Sequence, residues 1–148
     1  MARTINYEDI AKKVKDMRKT YNELAKESTA INKMPDSKKK KQQEKNWMNK
    51  FFDNAQRLPR HIGPMEKDVA QQYETYYDKK RNGADQKLLD RMYNKASNKK
   101  KALDQMKYME PNGNRRFWRD EVAKHKKGYC EKCSRQSRDL LDLLKTFL

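Results

Sequence analysis

No stretch of about 18 consecutive apolar residues occurs in this 148-residue chain, so no membrane-spanning helix is expected. Glycine and proline are scarce, four of each, which excludes both a loop-rich β-sandwich and a low-complexity linker. The two cysteines, Cys130 and Cys133, are too few for a disulfide framework. Met1-Ala2-Arg3-Thr4 leads into polar sequence without an apolar segment, so no signal peptide is expected and synthesis is placed inside the cell. Enzyme signatures are missing: there is no G-x-S-x-G, no P-loop, no dinucleotide glycine fingerprint and no H-E-x-x-H. The hydrophobic fraction, 34%, argues against the large apolar pocket that most small-molecule enzymes need. The expectation is a protein that is not an enzyme and carries no cofactor.

Positive charge is what the chain has in excess. The net charge is +16, from 37 basic and 21 acidic residues. The excess is spread: net +8 over residues 1–60, +3 over 61–110 and +5 over 111–148. A chain so basic repels itself unless an anion neutralises it, and an anionic polymer is the natural partner. The densest runs are Lys38-Lys39-Lys40-Lys41, Lys79-Lys80-Arg81, Lys99-Lys100-Lys101, Arg115-Arg116 and Lys126-Lys127. One such run alone reads as a solvated helix face; five are harder to dismiss.

The periodicity is helical throughout. Tyr7, Ile10, Val14, Met17, Tyr21, Leu24 and Ile31 recur at spacings of three and four, with Ser28 filling the missing step. That is a near-heptad seam, predicting a helix capped by Asn6 and running to about Asn32. So narrow a stripe needs a partner helix, from this chain or another copy. Met34-Pro35 breaks it, and Asp36 or Ser37 caps a second helix. The second helix is cationic at its start and apolar later, at Trp47, Met48, Phe51, Phe52, Ala55 and Leu58. A turn over 57–64 places Pro64 at the first position of a third helix, which Asn82-Gly83 ends. Asp85 caps a fourth. Glu110-Pro111-Asn112-Gly113-Asn114 is a second turn. A fifth helix carries Phe117, Trp118, Val122 and Ala123 and ends at Gly128; a sixth starts near Ser134 or Ser137. No period-2 run of strand formers occurs. The fold class is all-α: long basic N-terminal helices, residues 1–60, acting as a nucleic-acid-wrapping arm, followed by a compact C-terminal helical bundle, 64–148.

Ligand chemistry is confined to Cys130, Cys133 and His125, with His61 elsewhere. One C-x-x-C gives two thiolates at zinc spacing, but the tetrahedron lacks clear further ligands. Free thiols or a local disulfide joining the last two helices is the plainer reading. The aromatics fall mainly on helical stripes, which favours packing over stacking on unpaired bases. Lysine outnumbers arginine, and arginine is what makes bidentate contacts to guanine. Sequence-independent binding to the backbone of a duplex follows, weakening steeply with salt. The runs at Lys99, Lys100, Lys101, Arg115 and Arg116 belong to the candidate binding surface.

The layout — the seam from Tyr7 to Ile31, the break at Met34-Pro35, the Lys38–Lys41 helix and the bundle from Pro64 to Leu148 — resembles the major coat proteins of filamentous archaeal viruses. The resemblance implies N-terminal helices wrapping double-stranded DNA, self-association or a paralogous subunit, and residence in a virion, with host cytoplasm as the place of assembly. Its implied DNA-facing set is Lys12, Lys13, Lys38, Lys39, Lys40, Lys41, Lys45, Lys50, Arg57 and Arg60. Two alternatives stand beside it: a regulatory nucleic-acid binder with a small zinc site, and an RNA-binding nucleocapsid or silencing-suppressor protein.

Overall fold

The structure, a computed structural model, describes residues 5–110 and 115–148, and of Arg115 the backbone alone. The expected turn at Pro111-Asn112-Gly113-Asn114 and the stretch Met1–Thr4 lie outside the described residues. Among the described residues there are six helices and no strand: α1 (Tyr7–Asn32), α2 (Lys38–Ala55), α3 (Pro59–Arg81), α4 (Gln86–Met109), α5 (Arg115–Lys124) and α6 (Lys126–Lys145). The all-α expectation holds. No helix among them is long and apolar enough to cross a membrane.

Helix α1 is the centre of the packing. Its seam residues Ile10, Val14, Met17, Tyr21, Leu24, Ser28 and Ile31 are all buried. Asn6 caps its start, the side chain accepting from the Asp9 amide at 3.1 Å. The partner helices come from the same chain. Helix α6 repeats the spacing, burying Cys130, Ser134, Ser137, Leu141 and Leu144, and runs antiparallel to α1. Ser134 Oγ donates to Asn22 Oδ1 at 2.7 Å near the middle, and the rings of Tyr7 and Phe147 meet edge-on at 5.0 Å at the far end. Two heptad seams facing each other give the knobs-into-holes geometry of a coiled coil. Small seam residues (Ser28, Ser134, Ser137) bring the backbones close.

Helix α2 folds back along α1. Ser37 caps it by accepting from the Lys40 amide at 3.1 Å. Trp47 Nε1 donates to the Leu24 carbonyl at 2.8 Å, and Asn54 Nδ2 to that of Met17 at 3.0 Å. Trp47 stacks on Phe51, and Tyr21 lies against the same ring. Helices α3 and α4 form an antiparallel hairpin. Its base joins the core through Met65, Val69, Ala102, Leu103 and Met106. The Gln105 side chain reaches the Gln136 carbonyl of α6 at 3.3 Å. Between the two, Gly83 takes a φ of 75°, the left-handed value that a helix end here requires. One apolar core thus runs through α1, α2, the base of the hairpin, α5 and α6.

Two boundaries differ from expectation. Helix α3 begins at Pro59, not Pro64; Pro64 sits inside the helix. Pro59 supplies the fixed φ of a first position, and Pro64 is exposed, so water is at hand for the carbonyl it leaves without a donor. Gly128 does not end α5. The chain breaks at His125, whose amide bonds back to Glu121 and Val122, and α6 starts at Lys126. Gly128 falls in the first turn of α6, where its missing side chain matters least. Cys130 and Cys133 therefore share one helix and do not join two.

Candidate nucleic-acid interface

The expected cationic residues divide by what holds them. Lys12, Lys38, Lys39, Lys41, Lys45, Arg57, Lys100, Lys101 and Arg116 are exposed. Lys13 lies 3.1 Å from Asp9, Lys40 3.5 Å from Asp36 and Lys50 3.3 Å from Glu27. Lys99 is the exception: it is 6% exposed, with Nζ 3.0 Å from Asp68 Oδ2 and 4.6 Å from the centre of the Tyr7 ring. Its helical phase sets it on the buried side of α4, three residues after Ala96 and four before Leu103. The Lys99–Lys101 run is not one cationic patch. Arg115 has no described side chain.

Arg60 belongs to a small cluster. Lys13 Nζ lies 3.0 Å and Arg60 Nε 3.3 Å from the same atom, His61 Nε2. Two cationic donors converging on one nitrogen need the neutral imidazole. Burial, then Lys13 and Arg60, hold the His61 pKa below the usual histidine range.

A cationic stripe runs along α1, of which the expected DNA-facing set held only Lys12. Lys12, Lys15, Lys19, Asn22 and Lys26 recur at spacings of three and four, the period of the apolar seam itself. Side chains at that spacing share one helix face. Lys15, Arg18, Lys19, Asn22, Glu23 and Lys26 line a shallow groove with Leu141 of α6. Among the described residues, none of Lys12, Lys15, Arg18, Lys19 or Lys26 is held in an ion pair. The stripe from Lys12 to Lys26 is about 21 Å long at 1.5 Å per residue. By contrast Lys126, near the start of α6, is tied to Glu44 of α2 at 3.2 Å.

The aromatics split as well. Trp47, Phe51 and Phe52 are buried. Tyr77 and Tyr93 are not core residues; they stand half-exposed on the free part of the α3–α4 hairpin, where Tyr73, Tyr76 and Tyr93 touch.

Among the described residues, no three His, Cys, Asp or Glu side chains come together to hold a metal. Cys130 is buried, and desolvation pushes its thiol up to about 12; Cys133, beside Tyr21, is pushed up to about 11 for the same first reason. Zinc needs thiolates, which this environment disfavours. His125 is exposed, beside the ring of Tyr129.

No curated protein and no solved structure matches the chain. A family model described as "Type I restriction and modification enzyme - subunit R C terminal" matches residues 2–147. That match follows residue order over nearly the whole chain, whereas the likeness to filamentous-virus coat proteins rested on helix layout, which unrelated basic helical chains share. It overturns the coat-protein reading and the placement in a virion. It equally removes the zinc-bearing regulator and the RNA-binding nucleocapsid or silencing suppressor. The expectation of no enzyme is also qualified, because the family is named for a subunit of one. The chain belongs to the family of the C-terminal part of the R subunit of type I restriction and modification enzymes.

Proposed function

We propose that this chain is a helical assembly module of a type I restriction and modification enzyme, and that the α1 stripe lies along the phosphate backbone of duplex DNA. In this reading the module positions a duplex by its charge. The observation that carries the DNA half is the row of Lys12, Lys15, Arg18, Lys19 and Lys26, held in no ion pair among the described residues and set on a helix whose opposite face is locked into the core. Rigid backing matters: cations on a fixed rod lose less freedom on binding than cations on a tail. Lys38, Lys39, Lys41 and Lys45 of α2 and the exposed Arg57 extend the positive field. Lysine contacts to phosphate position a duplex without reading its sequence. The family's description as a subunit supports association with other chains, and the exposed rings of Tyr77 and Tyr93 with Leu88 at the free part of the hairpin offer an apolar surface for it.

The test is a salt titration of duplex binding by fluorescence anisotropy. Log affinity falls linearly with log salt at about 0.9 per phosphate contacted. Replacing Lys12, Lys15, Lys19 and Lys26 with Gln is expected to flatten the slope by roughly three units. Affinity is expected to be nearly the same for duplexes of unrelated sequence. An unchanged slope removes α1 from the DNA surface.

A further inference from the structure

Where α1, α2, α4, α5 and α6 meet, the helices leave a cavity. It is lined by Tyr21, Phe51, Tyr108, Trp118, Tyr129 and Cys133, with Lys132 and Gln136 among its other walls. Its sides come from α1, α2, α4, α5 and α6, so it sits where five helices fail to close on one another. The volume is about 230 Å³. That is less than the range of drug-sized pockets, and is room for a single ring system. Five of its walls are aromatic rings. Tyr108 is 68% exposed, so its ring is open to a ligand from the solvent side. Trp118 packs against Tyr129 at 5.9 Å between ring centres.

One further feature defines what would fit. Among the described residues no carboxylate lines the cavity, while Lys132 does. Aromatic walls and one cation describe a flat ring attached to an anion.

We propose that this cavity binds a single nucleobase carrying a phosphate. The base stacks among Tyr108, Trp118 and Tyr129, and Lys132 meets the phosphate. Stacking between aromatic side chains is the chemistry by which proteins hold an unpaired base. A free nucleotide and a base turned out of a strand present the same groups. The inference rests on the cavity and stands whether or not α1 touches DNA.

The experiment uses the full chain and isothermal titration calorimetry with adenosine, cytidine, guanosine and thymidine monophosphates, and with a duplex containing one unpaired base beside its fully paired counterpart. Saturable binding of a monophosphate assigns a free nucleotide. Preference for the duplex with the unpaired base, without monophosphate binding, assigns an extruded base. Either must be weakened about tenfold in Trp118→Leu, which removes a stacking ring and keeps apolar bulk, and in Tyr108→Ala, which trims an exposed ring. Lys132→Gln is expected to weaken the monophosphate but not the uncharged nucleoside. Circular dichroism melts confirm that each variant folds. No saturable binding in either arm overturns the proposal, as does binding that all three variants leave unchanged.

Discussion

The ammonium of Lys99 lies 3.0 Å from Asp68 Oδ2, enclosed by the rings of Tyr7 and Phe147. Tyr7 donates its hydroxyl proton to the same carboxylate, so one anion on α3 ties together α4, the start of α1 and, through ring contact, Phe147 just after α6. Removing the cation leaves Asp68 short of its main partner in a half-buried site. Lys99→Met is expected to lower stability by on the order of 2 kcal/mol, less than for a fully buried pair because Asp68 retains some water. Lys100→Gln, one residue along, is expected to change it by no more than about 0.5 kcal/mol. Urea unfolding checks both. Neither Lys99→Met nor its stability loss should alter the salt slope of DNA binding. A slope that drops with Lys99 would contradict its burial.

Asp68 also sets an acid limit. Burial alone would raise its pKa, but hydrogen bonds from Tyr7 and Lys99, the Lys99 charge and Gln72 together outweigh that and hold it below the usual carboxylate range. A carboxyl whose folded pKa is depressed contributes stability above its unfolded value, near 4, and loses it as pH falls through the folded one. Wild-type stability is therefore expected to drop below about pH 4 more steeply than that of Asp68→Asn, which starts lower. Parallel curves for the two proteins between pH 5 and 2 would remove Asp68 as the cause.

The seam of α1 was legible because its period is strict, and Ser28 stood in the sequence as an irregular member of it. The structure explains the irregularity: Ser28 is fully buried, and its hydroxyl donates to the Ala25 carbonyl of its own helix at 2.9 Å. The hydroxyl needs no partner across the interface. Ser28→Ala is expected to be nearly neutral. Ser28→Leu, which would perfect the apolar pattern, is expected to destabilise by about 1–3 kcal/mol through overpacking. Thermal or denaturant melts distinguish these outcomes; a stabilising leucine would show that the two helices have room to spare.

Periodicity gave element types, and local residue chemistry gave the cap at Asn6 and narrowed the second to Asp36 or Ser37, of which Ser37 holds it; Asp85 sits at its cap position without a side-chain bond. It failed where tertiary context overrides a local signal. Gly128 looks like a stop, but the packing of Tyr129 and Cys130 carries α6 through it. Pro64 looks like a start, but Pro59 is an equally good one five residues earlier. Lys99 looks like a surface cation because two lysines follow it, and only the phase of α4 against Ala96 and Leu103 puts it inside. The stripe at Lys12, Lys15, Lys19 and Lys26 was readable by the same period that found the core, yet scattered lysines draw less notice than a block of four. The aromatic cavity was not readable at all: its walls lie on five helices and share no spacing.

The block of four invites its own test. Lys38 to Lys41 begin α2, where no carboxylate lies in the first turn and the helix dipole adds to the positive charge. Lysines there cost the helix start a little stability, and an anion would offset that. Replacing Lys38, Lys39, Lys40 and Lys41 with Gln removes the repulsion while Ser37 still caps the helix. Thermal stability is expected to stay level or rise by a few tenths of a kcal/mol. If the field of α2 supports DNA binding beside α1, the salt slope falls by roughly two to three units. A variant that gains stability and keeps the full slope would confine the DNA contact to α1, and one that loses stability would show that these lysines hold the fold.

Histidine offers a probe at neutral pH. The His61 pKa lies below the ordinary value near 6.5, first because of burial and then because Lys13 and Arg60 face it, with Asp9 opposing them. A base with a depressed folded pKa takes up its proton more readily when unfolded. Its contribution is therefore complete above about pH 6.5 and fades as pH falls toward the folded pKa. Stability is expected to decline between about pH 7 and 5, and His61→Gln, which cannot titrate but can still accept from Lys13, is expected to flatten that decline. The same acidification charges His61 beside two cations, so an anion bound at this corner should bind more tightly at pH 5.5 than at 7.5 in the wild type. In His61→Gln that gain should vanish, and a gain that persists would assign the pH response to another group.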